Sequence, residues 1–197
     1  GYGDRILIHD FSYIFLKNDR VAFIGANGCG KSTLIKIIAK KMPQDGGYVD
    51  YGSNVEIGYY DQENHELNPS NTVLEEIWQD YPFMTQTEVR DALALFLFKA
   101  DDVFKQVKLL SGGEKARLTL AKLMLTKMNL LILDEPTNHL DIPSRERLED
   151  AILGFDGTIV AVSHDRYFIN KLATRIFSFN LESPNRICDF KGGYKEY

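Results

Sequence analysis

The sequence predicts an α/β domain, and three stretches carry that reading. Val21-Ala22-Phe23-Ile24 is a short apolar run that stops at a glycine-rich loop and is followed by Ser32-Thr33-Leu34-Ile35-Lys36-Ile37-Ile38-Ala39 at helical spacing. Leu130-Leu131-Ile132-Leu133 is fully apolar, as a strand buried on both faces of a parallel sheet must be, and ends abruptly in Asp134-Glu135-Pro136. Thr158–Val162 is a third such run.

Around these the elements follow in order. The predicted strand 21–24 and helix 31–40 are followed by strands near 48–51 and 55–60, then by a helical region over 71–127. Within that region 72–79 and 87–98 read as separate helices, each begun by a capping residue. Leu93, Phe96 and Leu97 form an apolar patch that packs on neighbouring helices. Strand 130–133, helix 143–153, strand Thr158–Val162 and helix 166–173 come next, and strands 175–180 and 186–190 close the chain.

Gly25-Ala26-Asn27-Gly28-Cys29-Gly30-Lys31-Ser32 is a complete G-x-x-x-x-G-K-S loop between a strand and a helix. A triphosphate must be held without covering its terminal phosphorus, so backbone N–H groups and a helix N-terminus suit it better than bulky side chains. Gly25, Gly28 and Gly30 permit the close approach, and Ala26, Asn27 and Cys29 fill the variable positions and serve through their backbone. Lys31 is the mobile cation for the β- and γ-phosphates, the Ser32 hydroxyl is a hard oxygen suited to Mg²⁺, and Thr33 is the candidate for the α-phosphate.

Asp134 and Glu135 stand at a strand's carboxyl end, the edge at which open α/β sheets bind ligands. Successive strand residues point to opposite faces, which predicts different tasks: Asp134 for Mg²⁺ and Glu135 as general base toward water. Leu110-Ser111-Gly112-Gly113-Glu114 opens a further helix, with Ser111 as N-cap and two glycines that strip side chains from the first turn. That leaves a second helix N-terminus able to receive an anion, although a simple capped turn explains the same residues.

With these residues in place, the chain resembles the nucleotide-binding domain of an ATP-binding cassette (ABC) protein. Gly25 to Ser32 resembles Walker A, Gln62 in Tyr59-Tyr60-Asp61-Gln62 the Q-loop, and Leu110 to Glu114 the signature sequence. Leu130 to Glu135 resembles Walker B, Asn138-His139-Leu140-Asp141 the D-loop, and His164 in Val162-Ser163-His164-Asp165 the switch histidine. The wording Asp134-Glu135-Pro136-Thr137-Asn138-His139-Leu140-Asp141, together with Ser163-His164-Asp165-Arg166-Tyr167-Phe168 and the ending Gly192-Gly193-Tyr194-Lys195-Glu196-Tyr197, is similar to ABC-F proteins, the soluble twin-cassette ATPases of translation. The short stretch between Gln62 and Ser111 resembles a second cassette, or a first one lacking the family's helical arm.

The resemblance implies one P-loop NTPase domain over 1–197: an α/β core around a mixed sheet, a small antiparallel β subdomain, and a helical signature subdomain at about 64–127 inserted in that core. It implies ATP and Mg²⁺ as ligands, and a composite site formed with a second cassette in the same full-length chain or in a homodimer. Ser111, Gly112 and Gly113 would meet the γ-phosphate held by the partner. Lys31, Glu135 and His164 would serve the nucleotide bound by this chain, and Gln62 would sense Mg²⁺ and the attacking water. Tyr2 stands about where the family's adenine-stacking aromatic sits, the alternative being a plain surface tyrosine. The family's strand before that position is missing, so the chain is expected to be a fragment. ATP hydrolysis coupled to ribosome-associated regulation is the implied function. The alternatives are the ATPase subunit of a membrane transporter and a nucleotide-switched binding module with little turnover.

Composition agrees with a soluble globular domain: 197 residues, 44% hydrophobic, 26% charged, with no apolar stretch long enough for a bilayer. Two cysteines, Cys29 and Cys188, argue against a disulfide framework and for a cytoplasmic address. The net charge of -5 offers no overall attraction to a phosphate backbone. Lys40-Lys41 and the lysines at 105 and 108 read as solvated surface, so ribosomal contact is expected mainly from segments outside this chain.

Overall fold

The computed structural model describes residues 7–8, 11–61, 67–138, 140–179 and 187–194. In chain order the elements are β1 (Arg20–Gly25), α1 (Lys31–Ile38), β2 (Ile57–Asp61), α2 (Val73–Trp78), α3 (Gln86–Leu95), two short 3₁₀ turns (Ala100–Phe104 and Val107–Leu109), α4 (Gly112–Leu125), β3 (Leu130–Asp134), α5 (Ile142–Leu153), β4 (Thr158–Val162), α6 (Arg166–Leu172), β5 (Arg175–Phe179) and β6 (Ile187–Lys191). They fall into two compact units: one holds the residues up to 60, 128–136 and those from 155 on, the other 61–127 and 137–154.

The first unit is built on a mixed sheet of order β2-β3-β4-β1-β5-β6. β1 runs parallel to both β4 and β5, β3 parallel to β4, and β6 antiparallel to β5. Every residue of β3 and β4 is buried, because helices and loops cover both faces of a parallel sheet. The alternation of β1 divides the core. Val21 and Phe23 pack with Leu34, Ile35 and Ile38 of α1, while Ala22 and Ile24 pack with Ile169 of α6 and Ala173. On the α1 side Phe23 stacks on Phe177 with centroids 5.4 Å apart, and Phe11 meets Phe177 edge-on at 5.2 Å. Because β3, β4 and β1 lie side by side and parallel, the loops after Asp134, Val162 and Gly25 leave one edge of the sheet together.

The second unit is helical. α2 and α3 each start in a capping box, Thr72 with Glu75 and Thr85 with Glu88, so two orphan backbone donors are satisfied at each helix start. Glu76 of α2 is fully buried and its Oε1 lies 2.8 Å from Lys122 Nζ of α4, an ion pair that joins the two helices. α5 packs beside α4, so this unit extends past the stretch 64–127 expected from the sequence. No helix among the described residues is long and apolar enough to cross a membrane.

Three expectations need correction. Residues 48–51 form no strand: Gly47 turns with φ +77, Tyr48 is exposed, and the Tyr51 hydroxyl donates to Ile38 O at 2.9 Å, closing the end of α1. Among the described residues β5 and β6 pair antiparallel at the edge of the sheet. Helix α1 stops at Ile38 rather than 40, with Lys40 at φ +58. The third concerns the predicted helix 87–98. It starts at Gln86 with Thr85 as its cap and ends at Leu95, ahead of a turn that holds Leu97 at φ +67 and Ala100 at φ +44.

Candidate functional site

β1 ends at Gly25, where φ is +144 and an added Cβ would lie 2.8 Å from both the Cβ and the carbonyl oxygen of Phe179. Only glycine allows the chain to leave the sheet here. Gly28, at φ +73, is the opposite case: a Cβ there would meet nothing within 4 Å, so the space beside the middle of the loop is open. Ala26 and Asn27 are exposed beside it, whereas the Cys29 side chain is buried in the core beneath. Gly30 caps α1 without a side-chain acceptor, while Thr72, Thr85, Ser111, Asp141 and Asp165 each cap one of α2 to α6. The first N–H groups of α1, in the turn of Lys31, Ser32 and Thr33, are thus left to an external anion. Lys31 is buried and turns back on its own loop, its Nζ donating to Gly25 O and Ala26 O at 2.9 Å each.

Two carboxylates close the site. The Ser32 hydroxyl donates to Asp134 Oδ1 at 3.0 Å, joining the first turn of α1 to the end of β3. Glu135 continues the strand through its N–H, which donates to Val162 O at 2.9 Å, but its φ of +48 is left-handed. Its carboxylate reaches His164: Oε2 accepts from the His164 backbone N–H at 3.1 Å, and Oε1 lies 3.3 Å from His164 Nε2. Glutamate in this conformation costs about 1–3 kcal/mol, a strain that structures retain where the surroundings over-determine it. The two neighbouring acids therefore have different partners, Ser32 for one and His164 for the other.

In the second unit Ser111 caps α4 and forms a capping box with Glu114, whose carboxyl is held below its ordinary range chiefly by the Ser111 backbone N–H. A Cβ on Gly112 would meet nothing within 4 Å, and one on Gly113 only the Ser144 hydroxyl at 4.0 Å. The fold of this unit does not itself demand either glycine for space. The first unit brings together Gly25 to Thr33, Asp134, Glu135 and His164, and Ser111 to Gly113 belong to the other. Tyr2 and Gln62 lie outside the described residues.

Sequence reasoning assigned no site role to Arg166 and Tyr194. They line a cleft of about 270 Å³ with Gly25, Ser163, His164 and Ser178, on the α6 side of the sheet. The Arg166 guanidinium sits 5.6 Å from the Tyr194 ring centre. Both residues fall in motifs that carry the family wording, Arg166 in Ser163-His164-Asp165-Arg166-Tyr167-Phe168 and Tyr194 in the ending from Gly192. The signal for Arg166 is its place two residues after His164.

The donor set fits a magnesium polyphosphate. Ser32 and Asp134 present hard oxygens 3.0 Å apart, the choice expected for Mg²⁺. The uncapped α1 N-terminus, the open space at Gly28 and a lysine six residues after Gly25 match an anion of several charges.

Comparison with known proteins agrees with this geometry. The family described as ABC transporter matches at residues 8–138. YdiF of Bacillus subtilis (strain 168) is 51% identical over 191 residues, 97% of this chain and 29% of that protein. ABC transporter F family member 5 of Arabidopsis thaliana is 41% identical over 199 residues, 100% of this chain and 28% of its own. The energy-dependent translational throttle protein EttA of Escherichia coli (strain K12) is 40% identical over 200 residues, 100% of this chain and 36% of its own. The chain thus spans between 28% and 36% of these relatives' length. Among solved structures, the ATP-binding cassette MJ0796, described as dimeric in a post-hydrolysis state bound to ADP and Pi, superposes with a TM-score of 0.75 over 94% of this chain and 90% of its own. At 20% identity that likeness shows the fold.

Proposed function

This chain belongs to the ABC transporter family, as a cassette of the ABC-F type, and from that premise we propose that it binds and hydrolyses ATP with Mg²⁺ by pairing with a second cassette. The observation that carries the reading is the 3.0 Å bond between Ser32 and Asp134, which ties the phosphate loop to the acidic end of β3.

The roles follow from the side chains. Lys31 leaves the carbonyls of Gly25 and Ala26 and neutralises charge on the β- and γ-phosphates, while the N–H groups from Gly28 to Thr33 hold their oxygens. Ser32 and Asp134 would hold Mg²⁺, which would supply Lewis-acid polarisation of phosphate oxygens, and Gln62 is assigned to sense the metal and the attacking water. Glu135 takes a proton from the attacking water, and His164, already within 3.3 Å of it, orients that carboxylate. Ser111, Gly112 and Gly113 serve the nucleotide of the partner cassette; the free space around Gly112 supports this, since a side chain there would obstruct nothing in its own chain. Tyr2 is assigned to the adenine.

Resemblance to EttA supports a cytoplasmic role at the ribosome for the longer protein, with nucleotide-driven closure of two cassettes as the signal. Two measurements test the proposal. Turnover should rise faster than linearly with protein concentration and vanish on chelation of magnesium. Lys31→Ala should lose ATP affinity, and an unaltered affinity and rate in that variant would refute the assignment. Co-sedimentation with ribosomes in ATP separates the translation role from that of a transporter ATPase, which would co-purify with membrane subunits.

A further inference from the structure

The cleft on the α6 side of the sheet shares Gly25 and His164 with the nucleotide site, and its other residues have no part in the roles assigned above. Its apolar lining is Ile24 of β1 and Ile169 of α6, members of one core cluster. Ser163, just past the end of β4, is 1% exposed, and Ser178 of β5, in register with Ile24, is 8% exposed. Two serine hydroxyls are thus carried below the surface at the carboxyl ends of parallel strands, the edge at which such sheets take ligands. The Ser163 hydroxyl accepts from the Asp165 N–H at 3.0 Å and can still donate its own hydrogen.

Arg166 and His164 are the basic members of the lining, and among the described residues no aspartate or glutamate belongs to it. Asp165, beside Arg166 in sequence, gives its Oδ1 to the Tyr167 and Phe168 N–H groups as the cap of α6. Glu135 is engaged at both oxygens by His164. The Arg166 guanidinium sits 5.6 Å from the Tyr194 ring centre, a contact that uses its flat face and leaves the in-plane N–H fork for an oxyanion. The closing turn brings Tyr194 there: Gly192, at φ +143, donates its N–H to Thr174 O at 3.0 Å, and the ring packs on the cluster that holds Ile24 and Ile169. A volume of about 270 Å³ lies below the roughly 300–1,000 Å³ of pockets for drug-sized ligands, and suits a small hydrated oxyanion rather than a second nucleotide.

We propose that this cleft is a second anion site, which takes the inorganic phosphate cut from the nucleotide and holds it through Arg166, with the Ser163 hydroxyl as a further donor. The source of the phosphate rests on the reading above, in which the chain hydrolyses ATP. Because Gly25 and His164 border both sites, an anion freed at one stands at the edge of the other. Phosphate is the anion that this chemistry produces there, and the guanidinium fork matches two of its oxygens at once. The cleft and the phosphate loop lie on opposite sides of β1, Ile24 facing α6 and Phe23 facing α1, so the two anion sites are separate.

The test titrates inorganic phosphate into Lys31→Ala, in which the phosphate loop no longer competes for it, and into the same variant carrying Arg166→Met. Binding is read from its heat and from the His164 imidazole signal in proton NMR. Lys31→Ala should bind phosphate with a shift of that signal, and Arg166→Met should weaken the binding about tenfold, as loss of a charge-assisted hydrogen bond does. Arg166→Lys keeps the charge without the fork and should recover part of the affinity. In the chain with Lys31 intact, acid quench reads bond cleavage and a fluorescent phosphate sensor reads release during one turnover. Release should lag cleavage, and Arg166→Met should shorten the lag about tenfold while affinity for a fluorescent ATP analogue stays unchanged. Equal phosphate affinity with and without Arg166 overturns the site, and so does a loss that follows a lower thermal midpoint in both Arg166 variants. Phosphate binding with a lag that Arg166→Met leaves unaltered overturns the product assignment and makes the cleft a site for phosphate from solution. A chain without turnover would instead overturn the proposed function, and the titrations would still decide whether the cleft binds phosphate.

Discussion

The carboxylate of Glu135 is held at both oxygens by His164, through the backbone N–H at 3.1 Å and the imidazole Nε2 at 3.3 Å, from a backbone turned to φ +48. The acid assigned as general base is therefore positioned before any ligand arrives. A glutamine in its place can accept from the same N–H but cannot take a proton. Glu135→Gln is expected to fold normally, retain nucleotide affinity and lose turnover by about 10²–10⁴, as read by equilibrium binding beside a phosphate-release assay. Equal loss of binding and turnover would count against the assignment.

Gly25 and Gly28 should respond very differently to alanine. At Gly25 the new methyl would sit 2.8 Å from the Phe179 Cβ and carbonyl oxygen, so β1 and β5 must separate. At Gly28 space is open, and the cost is the left-handed backbone alone, about 1–2 kcal/mol. Chemical denaturation should show Gly25→Ala as the more damaging by a clear margin. Gly28→Ala should fold and lose nucleotide affinity, since its methyl fills that space.

Lys122 and Glu76 form the pair that joins α4 to α2, with Asp80 Oδ2 also 2.9 Å from the ammonium. Removing the cation strands a fully buried carboxylate, which among the described residues keeps Asn71 Nδ2 at 2.9 Å and the Asn68 N–H at 3.2 Å. Lys122→Met should cost about 3 kcal/mol in urea unfolding. Adding Glu76→Gln should return part of that loss, because no buried charge then lacks a counter-ion.

Acid should loosen the helical unit at its caps. Glu75 and Glu88 are lowered from their ordinary pKa first by the backbone N–H groups of Thr72 and Thr85, and Glu114 by that of Ser111. A depressed folded-state pKa means stability that is fully present above the unfolded value and lost as pH falls through the folded one. The thermal midpoint should hold steady above about pH 5 and decline below about pH 4.3, the unfolded glutamate value. Replacing Glu114 by Gln should weaken the protein at neutral pH and shrink that acid-side decline.

Local chemistry made much of this protein legible. Thr72 with Glu75 is a capping signal complete within four residues, and Thr158–Val162 reads as a strand because each of its side chains is apolar or small. The failures share a cause. Tyr48-Val49-Asp50-Tyr51 alternates as a strand should, yet the Tyr51 hydroxyl is drawn to carbonyls at the end of α1, a partner that spacing cannot reveal. The predicted helix 87–98 takes Thr87 as its start, yet the Glu88 N–H donates to the Thr85 hydroxyl and sets the cap two residues earlier. Arg117 reads as one polar member of an amphipathic helix, yet its guanidinium sits 5.4 Å from the ring centre of Phe98.

By itself the sequence determined the order of strands and helices, the phosphate loop and the acids at the end of β3. Each of these depends on residues within a few positions of one another: glycines that free the backbone, apolar runs that must be buried, carboxylates beside a strand end. Only the tertiary structure decided that Ser32 would meet Asp134 across 102 positions, that His164 would grip Glu135, and that α5 would lie against α4. Those pairings are set by which strands share a sheet and which helix faces fill one core. They are properties of the whole chain's packing, which no short window of residues contains.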